Sequence, residues 1–77
     1  MSNVRVFVTV YKDRNSICAI DVENKDTFSD IKHKLQELYF VPFCFTDFLF
    51  FNGVKLENYC CLKDYGIKEG SNLVLVP

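Results

Sequence analysis

Thr27-Phe28-Ser29-Asp30-Ile31-Lys32-His33-Lys34-Leu35-Gln36-Glu37-Leu38-Tyr39 is the stretch on which the fold turns. Its apolar residues Phe28, Ile31, Leu35 and Leu38 recur at steps of three, four and three, which places them on one stripe of a 3.6-residue helix. Asp30, Lys32, Lys34, Gln36 and Glu37 are left on the face turned to water. The Thr27 hydroxyl can accept a hydrogen bond from the Asp30 backbone N–H and so cap the helix, while Asp30 sets negative charge in its first turn. Pro42 bounds the other end, because the residue before a proline is pushed out of the α region. Burying four such side chains stabilises by roughly 1.5–3 kcal/mol each, so the stripe requires a partner surface.

Working outward, Val4, Val6, Val8 and Val10 alternate with Arg5, Phe7, Thr9 and Tyr11, the period of a half-buried strand. Residues 12–16 form a polar turn, with Asn15 suited to the left-handed conformation of hairpin loops. Cys18, Ile20 and Val22 then alternate with Ala19, Asp21 and Glu23, which completes an antiparallel hairpin. Beyond the helix, residues 43–47 carry no firm period. A third strand is expected at 48–51, an Asn52-Gly53 turn of type I′, and a short strand at 54–56. Residues 57–63 cross irregularly with Leu62 as their core anchor, and Asp64-Tyr65-Gly66-Ile67 makes a tight turn in which Gly66 is free to take positive φ. The last strand has Leu73 and Leu75 inward and Val74 and Val76 outward. Two strands, a helix and three further strands imply an α+β fold, a mixed sheet of four to five strands gripping one helix, over residues 1–77 as a single domain.

A chain of 77 residues buries only about 60% of its unfolded surface, so the core is thin, and the 49% hydrophobic and 16% aromatic content compensates. Nine basic and ten acidic residues are interspersed, which argues against nucleic acid as a partner. No apolar run approaches the ~20 residues of a membrane span, and Met1-Ser2-Asn3 lacks the cationic start of a signal peptide, so a soluble protein kept in the cytoplasm or nucleus is expected. Cys18, Cys44, Cys60 and Cys61 read as reduced thiols, with Cys18 a small core residue, because adjacent cysteines rarely meet disulfide geometry. Their spacing matches neither a zinc site nor the C-x₄-C-x₂-C of plant-type ferredoxins, and no cofactor is expected. His33, the one histidine, lies on the polar helix face near Glu37, and no Ser or Cys has a spacing that suggests an activated nucleophile, so no catalytic site is expected.

Several motifs in order carry a resemblance: Val6-Phe7-Val8, Asp26-Thr27-Phe28-x-x-Ile31-Lys32-x-Lys34-Leu35-Gln36, Val41-Pro42, Phe50-Phe51-Asn52-Gly53-x-x-Leu56-Glu57, Leu62-x-Asp64-Tyr65-x-Ile67 and Gly70-Ser71-x-Leu73-x-Leu75-Val76. Over nearly its whole length the chain resembles ubiquitin and the ubiquitin-like domains. The resemblance implies the β-grasp fold and a recognition surface made of outward apolar residues, which by position are Tyr11, Phe50, Val74 and Val76 with Phe48 beside them. Phe7, outward on the first strand, corresponds to a second, smaller contact, although a lone exposed aromatic is commonly incidental. Two other fates for the face remain open at this stage: Phe43, Phe45 and Phe48 folding over it as extra core, or another domain of the parent chain sealing it.

Conjugated members of the family end in a diglycine tail, whereas this sequence stops at Pro77; as it stands, it is not expected to act as a modifier. The aromatic segment 43–48 and a longer first turn are further departures, and lysines at the family's chain-forming positions are mostly absent, although Lys32 and Lys34 lie where the family has helix lysines. Tyr65 is expected to bond the backbone near Glu57. The function implied is a monomeric, non-enzymatic interaction domain in the ubiquitin pathway, binding a ubiquitin-binding domain, a proteasome subunit or a domain of its own parent chain. A modifier whose precursor continues past Pro77, or a regulatory module of a ubiquitin-pathway enzyme, is the alternative.

Overall fold

The computed structural model describes residues 3–11, 15–41 and 48–76. Residues 12–14 of the expected turn, Pro42, the aromatic run at 43–47 with Cys44, and Pro77 lie outside the described residues. Strands β1 (Asn3–Tyr11) and β2 (Asn15–Glu23) precede helix α1 (Phe28–Tyr39). Strands β3 (Phe48–Phe51) and β4 (Val54–Leu56), a turn of 3₁₀ helix (Leu62–Tyr65) and strand β5 (Asn72–Val76) follow. The strands form one sheet in the order β2-β1-β5-β3-β4, in which β1 and β5 run parallel and every other pair is antiparallel. This is the mixed sheet around one helix that the element order predicted, with five strands, and the β-grasp that the resemblance implied.

The alternation in β1 and β2 sends Val6, Val8, Val10, Cys18, Ile20 and Val22 into the core, where they meet Phe28, Ile31 and Leu35 of α1. Leu49, Leu56, Leu62, Leu73 and Leu75 close the same core. Thr27 caps α1 as expected: its Oγ1 accepts from the Asp30 N–H at 3.2 Å, and the Asp30 carboxylate accepts from the Thr27 N–H at 3.0 Å. The crossing segment supplies the remaining acceptors of the first turn, the Cys60 carbonyl for Phe28 and the Asn58 carbonyl for Ser29, both at 3.1 Å. Tyr65 bonds the Glu57 backbone N–H at 3.3 Å and meets Phe28 edge-on at 5.6 Å between ring centroids. Asn52 and Gly53 both have positive φ, 51° and 78°, as a type I′ hairpin turn requires.

Four expectations are corrected. Asn15 and Ser16 are the first residues of β2, opposite Tyr11 and Val10, and not turn residues. The tight turn read at 64–67 begins earlier, as the 3₁₀ turn, with Gly66 behind it at φ 72°. Leu38 is 60% exposed and Lys32, assigned to the water face, is 4% exposed. At 3.6 residues per turn the buried arc is centred between Phe28 and Leu35, and Leu38 lies about 70° away from that centre while Tyr39 lies only about 30° away. Tyr39, still 43% exposed, is therefore nearer the buried arc than Leu38, and its hydroxyl reaches the Ala19 carbonyl of β2. Lys32 is within the arc and buries its aliphatic stem, its Nζ donating to Asn58 Oδ1 at 2.8 Å.

Candidate interaction surface on the outer sheet face

The side of the sheet turned away from α1 is built by the same alternation that builds the core. Because Leu73 and Leu75 point inward, Val74 and Val76 point out; because Leu49 points inward, Phe48 and Phe50 point out. The ladder then sets neighbours. Phe50 lies opposite Lys55 on one side and Val74 on the other, Val74 lies beside Thr9, and Thr9 lies opposite Ile17. In the next row Phe48 faces Val76, and the pairing of Val10 with Leu75 brings Tyr11 to the level of Val76. Phe7 occupies the row on the other side, between Asn72 and Ala19.

Phe48, Phe50, Val74, Val76 and Phe7 are half-buried and Tyr11 is 43% exposed. The residues named from the sequence are therefore brought together on one face, with Phe7 joined to the others through Thr9 and Val74. Two members escaped the sequence reading. Ile17, 70% exposed, extends the face onto β2; the alternation running back from Cys18 was a usable signal for it. Lys55 holds its ammonium 4.3 Å from the centroid of the Phe48 ring, a cation–π contact that only three-dimensional pairing of β3 with β4 creates.

Charge closes the face at its far end. Arg5 and Asp21 are opposed across β1 and β2 and bond in a fork, at 2.9 Å and 3.2 Å, and the guanidinium holds the Asp21 carboxyl below the usual carboxylate range. Elsewhere, burial pushes the Cys18 thiol up, as befits a core residue. Cys18, Cys60 and Cys61 are free thiols. Among the described residues no group of three or more potential metal ligands converges, and no helix is long and apolar enough to cross a membrane.

The sequence pattern of the ubiquitin family matches residues 6–76. The chain is a member of the ubiquitin family. Among solved structures it is similar to the ubiquitin of Caldiarchaeum subterraneum, at a TM-score of 0.81 and 19% sequence identity, with 96% of this chain and 91% of that one covered. At that identity the likeness shows the shared β-grasp, which the strand order and the single helix bear out independently.

Proposed function

We propose that this ubiquitin-family chain is a non-catalytic interaction domain that docks its outer sheet face on receptors of the ubiquitin-binding type. The observation that supports the reading is the adjacency of Tyr11, Phe48, Phe50, Val74 and Val76 in neighbouring ladder rows, an apolar area on the side of the sheet opposite its helix. Aromatic rings and β-branched side chains lose little entropy on docking, so a few of them supply most of a modest affinity, and Lys55 at the border tunes specificity. Phe7 contributes a lesser contact beyond Thr9. A ubiquitin-binding domain, a proteasome subunit or a domain of a parent chain offers the apolar counter-surface needed, and the setting of such partners is the cytoplasm or nucleus.

The test is a nuclear magnetic resonance titration of the labelled chain with a panel of ubiquitin-binding domains. Shift changes are expected to centre on Phe50, Val74 and Val76, and Val74→Asp is expected to weaken binding by about 2 kcal/mol or more while leaving the fold in place. Perturbations confined to the helix side, or unchanged affinity in a folded Val74→Asp variant, would overturn the assignment.

A further inference from the structure

Strand β2 forms one border of the sheet, and its backbone is turned toward that border at alternate residues. Phe7 directs its N–H to the Ser71 carbonyl at 3.0 Å, and the Arg5 carbonyl accepts from Gly70 at 2.8 Å, so both residues spend their backbone groups on the side away from β2. Their opposite numbers Ala19 and Asp21 are consequently non-hydrogen-bonded pairs whose own N–H and C=O point outward, and the same holds for Ile17 and Glu23 two residues on either side. Such a nine-residue border is a template for another strand.

The outward acceptors are occupied by side chains from α1 and from the connection before it. The Tyr39 hydroxyl donates to the Ala19 carbonyl at 2.6 Å and Lys34 Nζ donates to the Asp21 carbonyl at 3.2 Å. Asp26 takes both groups of Glu23, its carboxylate accepting the N–H and its own N–H donating to the carbonyl, each at 3.0 Å. Lys34 Nζ also lies 3.5 Å from the Asp26 carboxylate, which ties the two guards into one chain along the border.

We propose that Tyr39, Lys34 and Asp26 form an edge guard that keeps β2 from pairing with β2 of a second copy of this chain. A second copy is the occupant excluded because an antiparallel β2–β2 ladder about a two-fold axis is self-complementary and would need the outward carbonyls of Ala19 and Asp21 that Tyr39 and Lys34 hold. Exposed Ile17, on the same strand, would be covered by that pairing and so favours it once the guard is gone. The guard lies on the β2 border, which meets the outer face only at Ile17, and a negative result here would leave the docking role proposed for Phe50, Val74 and Val76 untouched.

The experiment compares the native chain with Tyr39→Phe, Lys34→Met and the double variant by sedimentation equilibrium and amide hydrogen exchange. Tyr39→Phe deletes one oxygen atom and Lys34→Met keeps most of the stem, so the fold is expected to survive, as circular dichroism will report. Each single variant should raise self-association about tenfold, the scale of one net hydrogen bond, and the double variant should protect the Ala19 and Asp21 amides as dimer forms. Adding Ala19→Pro, which removes an outward N–H from an edge strand, should return the double variant to the native state of association. A folded double variant that associates no more than the native chain, or a native chain whose Ala19 and Asp21 amides already gain protection with concentration, would overturn the proposal.

Discussion

Phe40 ends α1 in the left-handed conformation, at φ 57° and ψ 32°, with its side chain 85% exposed. Its N–H and that of Val41 converge on the Leu35 carbonyl, so the geometry serves the helix end while a bulky L-residue bears a conformation natural to glycine. That conformation costs an L-residue roughly 1–2 kcal/mol, against about 0.5–1 kcal/mol for the extra chain entropy of glycine. Phe40→Gly is therefore expected to raise stability by about 0.5–1 kcal/mol, read as a higher urea midpoint at unchanged slope. Asn58 behaves in the opposite sense. It gives the part-buried Lys32 ammonium an acceptor at 2.8 Å, and Asn58→Ala should lower stability by about 1–2 kcal/mol in the same assay. Neither residue was legible in the sequence as a special position. A left-handed Phe has no compositional mark, and Lys32 looks like any helix lysine until the rotation of α1 about its axis is known.

At the scale of elements, the Thr27 cap, the Asn52-Gly53 turn and the alternation of β1 were readable because each rests on contacts within a few residues. Leu38 was misplaced because a four-member stripe leaves the helix rotation uncertain by one flank, and only packing against β2 decides that Tyr39, 43% exposed with its hydroxyl on the Ala19 carbonyl, is the residue turned toward the sheet. The two helical starts share a device that has a pH consequence. The backbone N–H of Thr27 holds the Asp30 carboxyl below its ordinary range, and the backbone N–H of Cys61, 2.9 Å from Asp64, does the same at the 3₁₀ turn. A carboxyl depressed in the native state adds stability that is fully present above its unfolded pKa, near 4, and is lost as pH falls through the lower native value. The native chain is thus expected to lose stability as pH falls below the unfolded value near 4, and Asp30→Asn with Asp64→Asn should flatten that acid limb in pH-dependent urea titrations.

For the molecule as a whole, the outer face could be anticipated because a strand's period of two fixes both of its surfaces once one is known to be core. Its lateral order came from the family resemblance and not from that period, since the parallel pairing of β1 with β5 joins residues from opposite ends of the chain. The same pairing makes Val74 and Leu75 an internal comparison. Leu75 is fully buried opposite Leu49 and Val10, whereas Val74 lies on the other surface between Thr9 and Phe50. A chain of this length has about 4–12 kcal/mol of stability in total, and Leu75→Ala should remove about 2–5 kcal/mol of it by leaving a cavity. Val74→Asp should cost about 1 kcal/mol or less, the penalty of a poor strand former on an open surface. Chemical denaturation of the two variants side by side measures the difference. Equal losses would mean that Val74 is interior as well, which would take the apolar outer face away from any receptor.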